Sequence, residues 1–84
     1  MNITILYFAK LAEKFGTGEE KLSLDTDSLN VSELVALLSE RGDIWQELLN
    51  DKGTRCAVDQ SIAQTEQSIY SGAEVAFFPP VTGG

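Results

Sequence analysis

Two stretches with alternating side chains, one near each end of the chain, constrain the fold more than any other sequence feature. Residues 3–8 alternate between two sets of β-branched, aliphatic and aromatic side chains, and residues 74–78 repeat this pattern near the C-terminus. A period of two is typical of β-strands, in which successive side chains point to opposite faces. We therefore predict a first and a last strand that are partly apolar on both faces.

The segment after the first strand predicts a short helix and a second strand. Leu11 and Phe15 are four residues apart, which places them on one helical face, and Gly16 follows where a glycine commonly ends a helix. After a turn, Leu22 and Leu24 alternate with polar residues and predict a half-buried strand. We expect this strand to pair antiparallel with the first one.

The main helix is predicted to begin at Asn30. Asn30 and Glu33 have the spacing of a capping box, and apolar residues then recur on one face until Gly42, where we expect the helix to end. Three shorter elements should follow, namely a helical turn at residues 44–49, a strand at 55–58 and an edge strand at 62–64.

These elements, in a chain of 84 residues, predict one α+β domain that spans residues 1–84. We predict a β-grasp, in which a mixed sheet wraps around one main helix and residues 79–84 protrude as a tail. The side chains expected in the core include Ile5, Leu24, Val58 and Phe77. Residues of opposite parity should form an apolar patch that faces away from the helix, and they are Leu6, Phe8, Ala76 and Phe78. Such a patch predicts a partner protein.

The composition excludes several classes of function. Six basic and thirteen acidic side chains give a net charge of −7, which disfavours nucleic acids and anionic membranes as partners. The chain has no histidine and one cysteine, Cys56, so an internal disulfide and the usual general base are missing. We predict no metal and no bound cofactor. No stretch approaches the ~20 apolar residues of a membrane span, and we expect a cytoplasmic protein.

The six residues after the last strand are the most informative stretch, and they are Pro79, Pro80, Val81, Thr82, Gly83 and Gly84. The prolines lack backbone donors and have fixed φ angles, so they should end the sheet ladder and direct a stiff arm outward. From Val81 the arm can reach roughly 13–14 Å, enough to enter a pocket of another protein. Gly83 and Gly84 have no Cβ and leave the last carbonyl open to attack. The predicted functional group is the carboxylate of Gly84.

The tail from Glu74 to Gly84 resembles that of the small subunit of molybdopterin synthase, and the resemblance extends over the whole chain. Outside the tail it includes Phe8-Ala9, Val31, Leu34, Trp45 and Ala57-Val58. The resemblance implies a ubiquitin-like β-grasp and a role as sulfur carrier. It implies that an ATP-dependent adenylating enzyme activates Gly84 and that sulfur then converts the adenylate to a thiocarboxylate.

The same resemblance implies a larger partner. The large subunit of molybdopterin synthase would receive residues 79–84 and pass the sulfur to cyclic pyranopterin monophosphate, which builds the dithiolene of molybdopterin. Catalytic side chains are then expected on that subunit, while this chain contributes Gly84. The predicted partner interface consists of Phe8 and Phe78 and, by resemblance, Ile62 on the same patch.

Other functions share the fold and the tail. One is a sulfur carrier for another pathway, such as thiamin thiazole synthesis or tRNA thiolation, and another is a ubiquitin-like protein modifier. Modifiers usually carry basic residues before their glycines, whereas Pro80, Val81 and Thr82 occupy those positions here. We expect Cys56 and Trp45 to belong to the core rather than to a reactive or docking site.

Overall fold

Seven strands and three helices lie within residues 1–80, the part of the chain that the computed structural model describes. The strands are β1 (Asn2–Tyr7), β2 (Glu19–Ser23), β3 (Leu29–Asn30), β4 (Arg55–Val58), β5 (Ser61–Ile62), β6 (Ser68–Ile69) and β7 (Glu74–Phe78). The helices are α1 (Lys10–Phe15), α2 (Val31–Ser39) and α3 (Asp43–Leu49). None of the three helices in this part of the chain is long and apolar enough to cross a membrane.

The first and last strands lie side by side in the middle of the sheet. Five strands pair in the order β2-β1-β7-β4-β5, and β1 runs parallel to β7 with Ile5 opposite Val75. The pairs β1–β2, β4–β7 and β4–β5 are antiparallel, as expected for the N-terminal pair. A parallel pair needs a crossover connection, and α2 lies on it. This mixed sheet with α2 packed on one face confirms the predicted β-grasp.

The main helix begins as its sequence indicates. Asn30 Oδ1 accepts a hydrogen bond from the Glu33 backbone at 2.8 Å, and the Asn30 backbone donates to Glu33 Oε1 at 3.0 Å, which completes the capping box. Three residues of one helical face, Val31, Leu34 and Leu38, are buried in the core.

The core lies between this helical face and the inner face of the sheet. Ile5 is 0% and Phe77 1% exposed, and Val58 is also buried, as predicted. Leu24 is partly buried and packs against the core. Each fully buried aliphatic or aromatic side chain stabilises the fold by about 1.5–3 kcal/mol relative to exposure. These inward residues therefore make a large favourable contribution to the stability of the domain.

Gly42 does not end α2, contrary to the prediction. The helix ends at Ser39, because the next backbone N–H groups bond to carbonyls three residues back, as Arg41 does to Leu38 at 3.1 Å. Gly42 instead precedes α3, with φ 152° and ψ 175°, a conformation open to glycine.

Several strand boundaries also differ from the sequence expectation. β2 runs from Glu19 to Ser23, earlier than the alternation of Leu22 and Leu24 indicates. β5 begins at Ser61, because Asp59 and Gln60 both have positive φ and form a two-residue turn that places Ser61 opposite Val58. It ends at Ile62, before the predicted end at residue 64. The two-residue strands β3 and β6, which pair with each other, were not predicted.

One polar cluster lies on the helix side of the sheet. The Tyr7 hydroxyl donates to Glu20 Oε1 at 2.6 Å, and Arg41 donates to both Glu20 oxygens at 2.7 and 3.1 Å. The Arg41 guanidinium lies 4.7 Å from the centroid of Trp45, whose ring stacks on Phe15 at 3.8 Å. Partial burial alone raises the pKa of Glu20, but the hydrogen bonds from Arg41 and Tyr7 and the charge of Arg41 outweigh it and lower that pKa. The cluster joins β1 and β2 to the α2–α3 connection.

Candidate functional site

The face of the sheet opposite the helices carries an apolar row across four strands. Leu6 lies opposite Ala76, Ala76 opposite Ala57, and Ala57 opposite Ile62. Opposite residues in paired strands point to the same side, so these side chains share one face. Phe8 and Phe78 follow at the same parity. We call these residues the outer-face patch, and its members are Leu6, Phe8, Ala57, Ile62, Ala76 and Phe78.

The three residues predicted as a partner interface all lie on the outer-face patch. Ile62 is 65% and Phe8 48% exposed, and Phe78 is half-buried. Ala57 is a member that the sequence analysis missed, although its alternation with the inward Cys56 and Val58 could have indicated it. Large exposed apolar side chains that lie together on one face are typical of a protein-binding surface.

Charged residues border the outer-face patch. Arg55 lies opposite Phe78, and Thr4 lies between Lys21 on β2 and Glu74 on β7. An apolar centre with a polar rim is the usual anatomy of a protein interface. Because both signs of charge are present, the rim can orient a partner without a strong preference for one sign.

The tail begins at the end of β7, beside the outer-face patch. Pro79 is half-buried and Pro80 is exposed, and the Pro80 ring lies against Gly53 in the loop between α3 and β4. The predicted tail residues Val81, Thr82, Gly83 and Gly84 lie outside the described residues. The structure therefore brings the patch and the base of the tail together through Phe78, the last residue of β7.

Cys56 lies on the inner face, away from the outer-face patch. It is buried, as predicted, and burial raises the pKa of its thiol to about 11. At neutral pH the thiol is therefore protonated and a poor nucleophile. A groove of about 770 Å³ runs beside α2 and the α3–β4 loop, with Cys56 and Phe77 in its lining. Within residues 1–80, no group of three or more histidine, cysteine, aspartate or glutamate side chains is arranged to hold a metal ion.

A β-grasp domain of this size and topology belongs to the ubiquitin-like class of folds. Its family follows from comparison with known proteins. The chain belongs to the ThiS family, whose model matches residues 5–84.

Two relatives match almost their whole length. The molybdopterin synthase sulfur carrier subunit of Escherichia coli (strain K12) is 35% identical and that of Haemophilus influenzae is 32% identical, each over 82 residues that cover 98% of this chain and 99% of the relative. The resemblance inferred from the tail is confirmed by these matches.

Solved structures share the fold. A putative molybdopterin converting factor subunit 1 from Pyrococcus furiosus superposes with a TM-score of 0.81 at 23% identity, covering 96% of this chain and 99% of that one. SAMP1 from Haloferax volcanii gives 0.83 at 22% identity, with both chains fully covered. A chain in a complex of subunits 1 and 2 of the molybdopterin-converting factor from Helicobacter pylori also matches, with a TM-score of 0.67 and 16% identity. The match covers 100% of this chain and 100% of that one.

Proposed function

We propose that this chain is the sulfur carrier subunit of a molybdopterin synthase. The observation that carries this proposal is the near full-length match to two sulfur carrier subunits of that enzyme, together with a family match that continues to Gly84. The outer-face patch supports it, because a carrier must bind other proteins. A protein without its own catalytic side chains can act this way, since its partners supply the acids and bases.

The first reaction takes place at the carboxylate of Gly84. A carboxylate oxygen attacks the α-phosphorus of ATP in an adenylating enzyme, which forms an acyl adenylate and releases pyrophosphate. A donor at the oxidation level of sulfide then attacks the carbonyl carbon and displaces AMP, which leaves a thiocarboxylate. Adenylation is needed because a free carboxylate is a poor electrophile. We place this ATP-dependent exchange in the cytoplasm.

The second reaction takes place in the large subunit. The outer-face patch docks there through Phe8, Ile62 and Phe78, and the segment Pro79, Pro80, Val81, Thr82 and Gly83 carries the thiocarboxylate into the catalytic pocket. The thiocarboxylate sulfur forms a bond to a side-chain carbon of cyclic pyranopterin monophosphate while a carbon–oxygen bond at that carbon breaks, and the displaced oxygen leaves as water or as a phosphate oxygen. Water then hydrolyses the resulting thioester, which leaves the sulfur on the pterin and regenerates the Gly84 carboxylate. Repetition of this transfer builds the dithiolene of molybdopterin. This arrangement is supported by the solved complex of subunits 1 and 2 of the molybdopterin-converting factor from Helicobacter pylori, in which one chain has a similar fold.

The experiment that tests the carrier role is thiocarboxylate formation. The protein is incubated with the adenylating enzyme, ATP and sulfide, and intact mass spectrometry should show replacement of one oxygen by sulfur. Deletion of Gly84, or addition of one alanine after it, should abolish the product while the urea midpoint stays unchanged, because changes at the last residue of a chain rarely affect core stability. Full sulfur loading of the extended variant would disprove a reaction at the Gly84 carboxylate.

The modifier function is tested in the same mixture. The modifier function is the second candidate, because the chain shares its fold with SAMP1, the small archaeal modifier protein 1 of Haloferax volcanii. A modifier would form an amide between Gly84 and lysines of other proteins, so conjugates of higher mass would appear when a cell extract and ATP are added. A carrier yields the thiocarboxylate without such conjugates.

A further inference from the structure

Gly53 is in close contact with Pro80, although the two are 27 positions apart in the sequence. A Cβ placed on Gly53 would lie 2.6 Å from Pro80 Cγ, 3.0 Å from Cδ and 3.2 Å from Cβ. Carbon atoms prefer separations of ≈ 3.5–4.0 Å, so even the side chain of alanine does not fit while Pro80 stays in place.

The backbone of Gly53 does not itself require glycine. The glycines with positive φ in the described part of the chain are Gly16, Gly42 and Gly72, and Gly53 is not among them. A negative φ is accessible to alanine as well as to glycine. The contact with Pro80 is therefore the feature of the structure that excludes a side chain at this position.

The loop that contains Gly53 has two internal hydrogen bonds and one hydrogen bond to α3. The Gly53 backbone donates to Asp51 Oδ1 at 2.8 Å, and the Thr54 backbone donates to the Asp51 carbonyl at 3.0 Å. The Thr54 hydroxyl donates to the Leu48 carbonyl at 2.7 Å. The loop is thus braced internally and tied to α3, whereas Pro80 is exposed and lies beyond the end of β7, so an added Cβ would displace Pro80 rather than Gly53.

Pro80 transmits such a displacement to the residues that follow it. Its ring atoms cannot rotate away as a flexible side chain would, and Pro79 before it also has a fixed φ. Phe78 on the other side is held by pairing with Arg55. A shift at Pro80 therefore changes the direction in which the chain continues toward Gly84.

We propose that Gly53 is a positioning residue for the tail, and that its missing side chain sets the direction in which the chain leaves the domain. This inference rests on the proposed function, in which Gly84 must reach the catalytic pocket of the large subunit. Relief of the contact moves Pro80 by about 1 Å, and a misplacement of that size can cost ~10²-fold in rate. Gly53→Ala should therefore slow sulfur transfer about 10- to 100-fold.

The test compares Gly53→Ala with Gly18→Ala, its matched control. Gly18 also lacks a positive φ, and a Cβ there would meet only the Tyr7 carbonyl oxygen at 3.8 Å, an ordinary contact. For each thiocarboxylated protein we would measure the urea midpoint, the Kd for the large subunit and the single-turnover rate of sulfur transfer to cyclic pyranopterin monophosphate. We expect Gly53→Ala to keep the midpoint and to lose transfer rate, and Gly18→Ala to keep both.

A second background separates tail direction from general damage. Pro80→Ala removes Cγ and Cδ, the two atoms closest to the added Cβ. In that background, Gly53→Ala should slow transfer by no more than about 3-fold. The proposal is overturned if Gly53→Ala transfers at the wild-type rate, or if it is equally harmful with Pro80 and with Ala at position 80.

Failure of the proposed function would look different. Wild type and both glycine variants would then be inactive alike with the large subunit.

The contact has its own readout in the free protein, which is a nuclear Overhauser effect between the Gly53 Hα atoms and the Pro80 ring protons. The positioning role is supported if this Overhauser effect is present and if Gly53→Ala changes the amide chemical shifts of the residues after Pro80 more than Gly18→Ala does. Absence of the Overhauser effect overturns the proposal.

Discussion

Strand β7 presents apolar side chains to two very different surroundings. Val75 and Phe77 point to the helices and are 0% and 1% exposed, whereas Ala76 and Phe78 point to the opposite face and are half-buried. The apolar side chains on the face away from the helices are not covered by the core, so the fold of the domain alone does not explain why they are apolar. The comparison supports the proposal that one face of this strand serves folding and the other serves partner binding.

Strand β1 repeats the division next to β7. Ile5 and Tyr7 are buried, while Leu6 is half-buried and Phe8, directly after the strand, is exposed. The two strands run in parallel register, so their inner residues line one core and their outer residues line one patch. Substitutions on the inner face should therefore change stability, and substitutions on the outer face should change affinity.

The neighbouring phenylalanines of β7 provide the strongest test of this division. Phe77→Ala should lower the free energy of unfolding by about 3–5 kcal/mol, because it leaves a cavity in the core. Phe78→Ala should lower it by only about 1 kcal/mol but weaken binding to the large subunit about 30-fold, a loss of about 2 kcal/mol. Urea unfolding and isothermal titration calorimetry measure the two effects. Equal losses of stability in both variants would show that the faces do not divide in this way.

Ile62 tests the far end of the outer-face patch. It is 65% exposed, so Ile62→Ser should change the free energy of unfolding by less than about 0.5 kcal/mol. Loss of its apolar contact should weaken the complex by about 5- to 30-fold, consistent with a loss of ~1–2 kcal/mol. Ser61→Ala, at the adjacent position of β5, is the matched control and should bind normally. An unchanged Kd for Ile62→Ser would restrict the interface to Phe8 and Phe78.

The polar cluster on the inner face predicts a smaller effect that depends on pH. Glu20→Gln should reduce stability by about 1 kcal/mol at pH 7, because it weakens the charged hydrogen bonds with Arg41. The pKa of Glu20 is lowered in the folded state, so its contribution is present above the ordinary value of about 4.5 and is lost as the pH falls through the folded value. The stability difference between wild type and variant should shrink below about pH 4.5. A difference that stays constant from pH 7 to pH 3 would contradict this role.

Cys56 should give the smallest effect on function. Cys56→Ala should cost about 1 kcal/mol of stability and leave sulfur transfer within about 2-fold of wild type. The raised pKa also predicts slow alkylation of the native thiol by iodoacetamide at pH 7.5. Loss of thiocarboxylate formation in the folded variant would instead make Cys56 part of the sulfur path.

Local patterns were sufficient to predict much of this fold. Asn30 and Glu33 lie in one turn and identify the start of α2, and Gly16 has the left-handed conformation expected after α1, with φ 78°. Strand parity alone places Phe8 and Phe78 on the same face. The capping box and the glycine after α1 involve residues that are close in sequence. The shared face of Phe8 and Phe78 follows from the two-residue period of a strand.

Features that depend on distant contacts could not be predicted in this way. Glu20 points inward, where a charged residue is unexpected, because Arg41 and Tyr7 neutralise and bind it after folding. The two-residue strands β3 and β6 are too short to show a period. The local sequence around Gly53 carries no sign of its contact with Pro80, which is 27 positions away and meets it only in the folded chain.

The most direct measurement of the account is a single-turnover reaction between the thiocarboxylated protein and the large subunit with cyclic pyranopterin monophosphate. Mass spectrometry follows the carrier while chromatography follows the pterin. The account predicts that the carrier loses its sulfur as the dithiolene product appears and that the carboxylate is regenerated at Gly84. It also predicts that Phe78→Ala lowers the rate of sulfur transfer when the large subunit is present at a limiting concentration. A thiocarboxylate that remains intact with the large subunit but is consumed by a thiazole-forming or tRNA-thiolating system would contradict it.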